Sequence, residues 1–275
     1  MSRKPSVKTP EQLRRMRAAG LVVAETLRVL TEAVRPGLTA AELDALAERT
    51  IRAHGAVPSF LDYHGFPAST CISVDSQVVH GIPRPDTVLR AGSIVSVDCG
   101  AVLDGWHGDA AVTLAVGDVD PAILELSRVT EEALWAGLRA VSAGARLGAV
   151  GAAVEGAVRP SGLGIVTGFT GHGIGTEMHQ PPDVHNTAGQ RGGRLRLAPG
   201  HVLAVEPMVT LGSPEVVELP DGWTVVTADG SPAAHWEHTV AVTETGPWVL
   251  TAFDGGLARL GELASVEARA ESAAA

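Results

Sequence analysis

Cysteine is scarce in this 275-residue sequence, which contains only Cys71 and Cys99. Two distant cysteines provide no disulfide framework, and their scarcity favours a reducing compartment. The sequence also lacks an uninterrupted apolar run of about 18 residues, so no membrane-spanning helix is expected. The basic N-terminal residues are not followed by an apolar segment, which argues against a signal peptide. These absences predict a soluble cytoplasmic protein.

Positive charge is also limited, with 21 Lys and Arg residues against 31 Asp and Glu residues and a net charge of −10. Binding to nucleic acid or to an anionic membrane depends on clustered Lys and Arg, so neither partner is expected. The hydrophobic fraction of 45% and the charged fraction of 19% are typical of a globular protein. The length suits one large α/β or α+β domain.

Two helices are predicted near the N-terminus. Residues 9–34 carry apolar side chains at helical spacing, with Thr9 as the N-cap and a proline at the first helical position. Residues 35–55 contain a turn and a second helix, for which Thr39 begins a capping box. Residues 1–9 are expected to form a short disordered arm.

The remaining chain alternates between strand-rich and helical segments. Segments rich in Val, Ile and Thr begin at Ser69 and predict strands and hairpins. Two further helices are predicted over residues 120–141 and 147–162, and a second strand-rich half follows. We expect residues 10–255 to form a single catalytic domain. The Ala- and Glu-rich tail, residues 256–275, is expected to be a frayed helix or disordered and to have no chemical role.

The order helix, helix, strands occurs twice along the chain. The segment Ala33–Leu43 also matches Ala140–Val150 at a shift of 107 residues, although the identity is slight and chance is an alternative explanation. The repeated order predicts an α+β fold of two similar halves, whose strands form one central antiparallel sheet with helices on one side. A site between such halves would draw residues from both.

Polar side chains occur where the strand pattern predicts burial. Asp98, Asp109, Glu206 and Glu237 each belong to an apolar strand, and His172 lies in the glycine-rich stretch "GHGIG". Because unpaired buried charges are costly, four carboxylates together require a positive partner. Two divalent metal ions about 3.5–4 Å apart would provide one. Oxygen ligands with one nitrogen favour Mn²⁺, Fe²⁺ or Co²⁺ over a sulfur-type zinc site.

Simpler interpretations exist for these residues. A single Asp after a strand is usually a turn residue, and the glycine-rich stretch lacks the Lys and Ser/Thr of a phosphate-binding loop. His107 is interpreted as solvent-facing, and His238 either as a neighbour that supports the site or as a core histidine. Cys99 follows Asp98 and should point to the opposite, core-packing face of the sheet. Other histidines are interpreted as ordinary surface or core residues: His54, His185, His201 and His235.

The order Asp-x10-Asp, "GHGIG"-x3-His, "EP" and "EH" resembles type I methionine aminopeptidase, of the pita-bread metallopeptidases. The segments "YHGFPASTCISVDSQVVHGIP", "DGWHGDAAVT", "AVEPMV" and "DGWTVVTADGSPAAHWEHTVAVT" are similar to that family as well. The resemblance covers roughly residues 9–250. It implies a pita-bread fold and metal-dependent hydrolysis of the first peptide bond after an initiator methionine, with a small second residue preferred.

The resemblance also implies roles for individual residues. The five residues described above match the metal ligands, with Asp109 and Glu237 bridging two ions of Co²⁺, Mn²⁺, Fe²⁺ or Zn²⁺. A water held between the ions would attack the carbonyl carbon, and Glu206 would also shuttle the proton. His80 matches the histidine that contacts the scissile amide nitrogen, and His179 the one that stabilises the carbonyl oxygen.

The methionine pocket implied by the resemblance is apolar. The matching positions are Phe60, Tyr63, Phe66, Cys71, Met178 and Trp223. Met178 replaces an aromatic residue, and Phe66 lacks the hydroxyl of the usual tyrosine, which affects fine preference rather than the reaction. The implied partners are nascent peptides with a free N-terminal Met at the ribosome, and the family default is a monomer.

Two other functions remain as alternatives. A relative of aminopeptidase P or prolidase would share the fold and ligands, but these enzymes carry a large additional N-terminal domain. A binding protein of this fold that has lost catalysis would be expected to lack ligands, whereas all five ligand positions are filled here.

Overall fold

Residues 5–274 are described by a computed structural model, and these residues contain six α-helices and fifteen strands. The helices are α1 (Pro10–Ala33), α2 (Ala40–Ala53), α3 (Pro121–Arg139), α4 (Gly148–Val158), α5 (Leu257–Leu260) and α6 (Val266–Ala274). The first seven strands are β1 (Val57–Pro58), β2 (Thr70–Val74), β3 (Gln77–Val79), β4 (Ile94–Leu103), β5 (Trp106–Ala115), β6 (Gly164–Ile165) and β7 (Gly171–Gly173). The others are β8 (Gln180–Val184), β9 (Val202–Val205), β10 (Met208–Thr210), β11 (Val216–Glu218), β12 (Val225–Thr227), β13 (Ala233–His235), β14 (Glu237–Val242) and β15 (Pro247–Val249).

The central sheet has nine strands, all paired antiparallel. Its main path is β1-β4-β5-β14-β9-β7-β8, with β2 added to β4 and β15 added to β14. Two small sheets, β13-β10-β6 and β11-β12-β3, flank it. No helix of residues 5–274 is long and apolar enough to cross a membrane.

The two N-terminal helices begin at the predicted caps. The Thr9 hydroxyl accepts a hydrogen bond from the Gln12 N–H, and the Gln12 side chain accepts one from the Thr9 N–H. Thr39 and Glu42 form the same reciprocal pair at the start of α2. Each capping box satisfies backbone donors that a helix N-terminus otherwise leaves without partners.

One face of the sheet packs against helices. Val95, Val97 and Cys99 alternate with Asp98 along β4, so they share a face that Asp98 does not. All three are buried in a cluster with residues of α1 and α2, which confirms the core position predicted for Cys99. Asp98 therefore points to the opposite side of the sheet.

Helix α3 covers the same face in the second half of the chain. Cys99 lies opposite Ala110 of β5, and Ala110 lies opposite His238 of β14, so these three side chains share one face. The Trp135 ring of α3 packs edge-on against His238 with 5.3 Å between ring centroids. The prediction of a central antiparallel sheet covered by helices on one side is confirmed.

The two halves also match in local detail. Gly37 follows α1 with a φ of 89° and donates its N–H to the Leu89 carbonyl at 2.8 Å. Gly144 follows α3 with a φ of 81° and donates to the Leu197 carbonyl, also at 2.8 Å. Both turns need a glycine because a side chain is disfavoured at positive φ. These pairs are 107 and 108 residues apart, which agrees with the shift seen in the sequence.

The expectation of a disordered N-terminal arm is wrong for its described part, residues 5–9. The Lys8 backbone N–H donates to the Gly200 carbonyl at 2.8 Å, and its buried side chain reaches the Gln180 carbonyl oxygen at 3.4 Å. The Ser6 hydroxyl donates to the same oxygen at 2.9 Å. Residues 1–4 lie outside the described part of the chain.

The expectation of a frayed or disordered tail is wrong for residues 256–274. Leu260, Ala264 and Ala268 are buried in the main core cluster beside Trp248. Ala264 and Ala268 are four residues apart and form a small apolar face that packs closely. The low hydrophobicity of alanine hid this face in the sequence.

Helix α1 approaches the sheet closely because two glycines face each other. A Cβ at Gly108 of β5 would lie 2.8 Å from the Gly20 Cα, and a Cβ at Gly20 would collide with the Leu250 carbonyl. Real Cβ atoms do not tolerate such contacts, so backbone would have to move. Gly108 precedes Asp109, so this contact fixes the strand that carries a predicted ligand.

We expect Gly20→Ala to lower the free energy of unfolding by about 1–3 kcal/mol, because overpacking outweighs the gain in helix propensity. Gly156→Ala is the matched control, since Gly156 is exposed in α4 and a Cβ there meets nothing within 4 Å. That control should raise the free energy of unfolding by up to about 1 kcal/mol. Urea denaturation measures both values. Equal or greater stability of Gly20→Ala would contradict the close-approach argument.

Candidate metal centre

Three predicted ligands share the face of the sheet opposite the helices. Asp98 on β4 and Glu237 on β14 both lie directly across from Ala111 of β5. Asp109 lies two residues before Ala111 and therefore points to the same face. Neighbouring strands thus bring three carboxyl groups together, which is the placement expected for Asp98 and Asp109.

Glu206 and His172 join this group from the second half. Glu206 follows β9, and its Oε1 lies 3.7 Å from the His172 Nε2. The same Nε2 lies 3.8 Å from the Asp109 Oδ2. The His172 Nδ1 is 3.0 Å from the Gly173 carbonyl, which only accepts, so Nδ1 carries the hydrogen. The lone pair of Nε2 therefore faces the carboxylates.

The glycines around His172 are explained by close packing. Residues 171–173 form β7, which lies between β8 and β9. A Cβ on Gly171 would collide with the Ala204 carbonyl, and one on Gly173 would collide with the Pro181 carbonyl. Glycine lets the central strand pass between its neighbours and present one imidazole, so the stretch is not a phosphate-binding loop.

Burial dominates the electrostatics of the carboxyl groups. It raises the pKa of Asp98 to about 7 and the pKa of Glu206 to about 8. Burial and the neighbouring carboxylates raise the pKa of Asp109 and Glu237 well above the usual range. Within residues 5–274 the ion-pair partners of this group are the histidines 172 and 235 and no Lys or Arg. The group therefore lacks a strong cation from the protein.

The donor set fits divalent metal ions. Asp98 Oδ1, Asp109 Oδ1 and Glu237 Oε1 are buried without a hydrogen-bond partner. Native proteins rarely leave such atoms unpaired, and a divalent cation would satisfy carboxylate oxygens and an imidazole nitrogen together. One donor atom each from Asp109, His172 and Glu237 lie within 4.8 Å of one another. Glu206, His235 and Glu237 form a second such group.

His179 and His80 stand beside the carboxylates. The His179 ring lies 4.2 Å from the His172 ring between centroids, and its Nδ1 is 2.8 Å from the Tyr63 hydroxyl. Burial lowers the pKa of His179, and it lowers the pKa of His80 to about 4. Both imidazoles are therefore neutral near pH 7, able to donate from one nitrogen and accept at the other.

All thirteen predicted site residues line one cavity of about 150 Å³. One wall is polar and carries the five predicted ligands with His80 and His179. The opposite wall is apolar, and Phe60, Phe66, Cys71 and Met178 are buried there in one cluster against which Tyr63 and Trp223 pack. The Phe66 and Trp223 rings meet edge-on at 5.1 Å. The structure therefore brings every predicted residue to the same place.

His235 is the residue of this region that sequence reasoning missed. It was interpreted as an ordinary polar residue, whereas it is buried with its Nε2 3.6 Å from the Glu206 Oε2. The available signal was its position two residues before Glu237, since such residues share a face of an extended chain.

Two other histidines can now be assigned. The solvent-facing interpretation of His107 is wrong, because the ring is half-buried with Nδ1 2.9 Å from the Ser59 hydroxyl. Burial lowers its pKa to about 4. His238 is the core histidine of the two alternatives, with Nδ1 2.8 Å from the Thr251 hydroxyl.

Comparison with known proteins agrees with this geometry. The model of metallopeptidase family M24 matches residues 14–244. Methionine aminopeptidase 1 of Mycobacterium tuberculosis is 53% identical over 246 residues, which cover 87% of this chain and 92% of that protein. The crystal structure of methionine aminopeptidase from Rickettsia prowazekii is 38% identical with a TM-score of 0.88, covering 90% of this chain and 100% of that one.

A more distant likeness shows the fold alone. Prolidase from Pyrococcus furiosus is 22% identical with a TM-score of 0.72, covering 90% of this chain and 65% of that one. The closer similarities confirm the predicted pita-bread fold and the predicted class of metal-dependent aminopeptidase. The chain belongs to metallopeptidase family M24 and, within it, to the methionine aminopeptidases.

Proposed function

We propose that this chain removes the initiator methionine from nascent polypeptides by hydrolysing the first peptide bond. The observation that carries the proposal is the cavity, in which a carboxylate and imidazole cluster faces an apolar pocket. Such a cavity can hold one apolar side chain while its main chain lies against the polar wall. The relatives named methionine aminopeptidase support methionine as that side chain.

Five residues would hold two divalent ions: Asp98, Asp109, His172, Glu206 and Glu237. Glu237 belongs to both groups of clustered donor atoms, which supports a bridging role between two adjacent ions. Asp109 lies beside it on the neighbouring strand and would bridge in the same way. When bound, the ions would polarise the scissile carbonyl and lower the pKa of the attacking water. Co²⁺, Mn²⁺, Fe²⁺ and Zn²⁺ all suit this donor set.

Glu206 is the proposed proton shuttle. Its side chain is 13% exposed against 4% for Asp109, so it is the more open of the two to the cavity. In this role it takes a proton from the attacking water and passes it to the leaving amine. Its position at the end of β9, rather than within a strand, gives the carboxyl group room to turn between the two partners.

His179 and His80 would bind the peptide bond that is cleaved. With the Tyr63 hydroxyl donating to the His179 Nδ1, the Nε2 carries the hydrogen and donates to the carbonyl oxygen as negative charge develops. His80, on the same cavity wall, would contact the amide nitrogen. Both roles require neutral imidazoles, which burial favours.

The apolar wall would select methionine. Aromatic rings contact thioether sulfur favourably, and Phe60, Phe66 and Trp223 provide three of them. Met178 adds a side chain that adapts its shape. The small cavity supports a substrate with a free N-terminus, and the family resemblance supports a small second residue. We place this activity in the cytoplasm, on chains emerging from the ribosome, and propose that the enzyme is a monomer.

We expect metal-stripped protein to release methionine from Met-Ala-Ser only after Co²⁺ or Mn²⁺ is added. Asp109→Ala should abolish release, because the proposed bridging carboxylate is lost. Asp86→Ala is the control, since Asp86 is exposed outside the cavity. Free methionine is measured by chromatography, and circular dichroism checks folding. Cleavage of Gly-Pro-Ala alone would instead assign the chain to the proline-specific relatives.

The Tyr63–His179 pair gives a second prediction. His179→Ala should lower kcat by about 10²-fold with little change in KM, because the donor acts on charge that develops in the transition state. Tyr63→Phe should lower kcat less, since it removes the group that orients His179 but not the donor. His54→Ala, an exposed histidine at the end of α2, should leave both constants unchanged. A rise in KM alone would assign His179 to substrate binding rather than to charge stabilisation.

A further inference from the structure

His235 carries an unexplained buried nitrogen. Its Nε2 is buried and has no hydrogen-bond partner. The side chain is 2% exposed, so solvent does not satisfy the nitrogen. A buried polar atom without a partner costs free energy, and native proteins keep few of them. Such an atom next to a proposed metal centre requires a physical reason.

The backbone of His235 is held firmly in place. Its N–H donates to the Thr113 hydroxyl at 2.9 Å, and its carbonyl accepts from the same hydroxyl at 2.6 Å. It ends β13, whose partner β10 places Met208 directly opposite. A side chain on so fixed a backbone is preorganised, as a metal ligand must be.

The Nε2 of His235 faces the carboxylates. It lies 3.6 Å from the Glu206 Oε2, and one donor atom each from Glu206, His235 and Glu237 lie within 4.8 Å of one another. The same limit describes the Asp109, His172 and Glu237 group. Donors bound to one ion at about 2.0–2.2 Å lie up to roughly 4 Å apart, so small side-chain rotations would complete either group.

We infer that His235 is a sixth protein ligand of the centre, binding through Nε2 the ion that Glu206 and Glu237 hold. Each of the two positions then has one imidazole, His172 at one and His235 at the other. This inference rests on the proposed dinuclear centre. An added nitrogen donor also favours Co²⁺, Fe²⁺ or Zn²⁺ over Mn²⁺ at that position.

X-ray absorption at the cobalt edge tests the assignment directly on the unaltered protein. The metal-stripped chain is loaded with two equivalents of Co²⁺, and imidazole scattering is counted per cobalt. The inference expects an average of one imidazole per cobalt, whereas ligation by His172 alone gives one half. A value of one half overturns the role of His235 and leaves the proposed function intact.

Variants give an independent test by calorimetric titration with Co²⁺. His235→Ala should weaken the binding of one ion by about 10–100-fold and leave the other nearly unchanged. His235→Gln keeps a polar side chain of similar length, so it carries the test if the alanine variant does not fold. His201→Gln is the matched control, a buried histidine outside the cavity.

The possible results separate the two proposals. Unchanged affinities for both ions in His235→Gln would overturn the inference and make His235 a hydrogen-bond partner of Glu206. Failure of the unaltered protein to bind two Co²⁺ ions would overturn the proposed centre itself. A shift of the visible cobalt absorption in His235→Gln, absent in the His201→Gln control, would support direct ligation.

Discussion

Four carboxyl groups buried on one face of a sheet are the constraint on which the rest of this structure depends. Burial raises the pKa of Asp98 to about 7 and that of Glu206 to about 8, so without a cation the group retains protons. Divalent ions would replace those protons and bind the folded chain in preference to the unfolded one, which couples metal binding to stability. The rigid frame must hold the oxygens together against their repulsion until then. The contact of Gly20 with Gly108 is one element of that frame.

The two-fold repeat explains where this group forms. Asp98 on β4 and Glu206 after β9 are 108 residues apart, the shift that relates the turns at Gly37 and Gly144 within one residue. Equivalent positions of the two halves therefore supply one carboxylate each. The pairing of β5 with β14 joins the halves and places Glu237 between them. A site at such a junction keeps its geometry only while both halves are folded and docked.

The site was predictable because its residues break the strand pattern, whereas the missed features do not. Asp98 interrupts a β-branched run, and the order of the ligands along the chain carried the rest. Ala268 gave no signal, because alanine is weakly apolar and its burial depends on the Trp248 surface that it meets. Lys8 is buried through backbone and side-chain bonds to residues far along the chain, which no local pattern contains. His235 lay at the end of a three-residue strand, too short for its alternation to be recognised.

The two walls of the cavity are linked at Tyr63. This residue packs against the apolar cluster while its hydroxyl bonds to His179 on the polar wall. Its neighbours Asp62 and His64 have φ values of 64° and 51°, a conformation that non-glycine residues rarely adopt. Strained backbone persists where surrounding structure holds it and is concentrated at functional sites. The loop that shapes the methionine pocket thus also orients the group that acts on the carbonyl oxygen, so changes in side-chain preference and in turnover should occur together when this loop is altered.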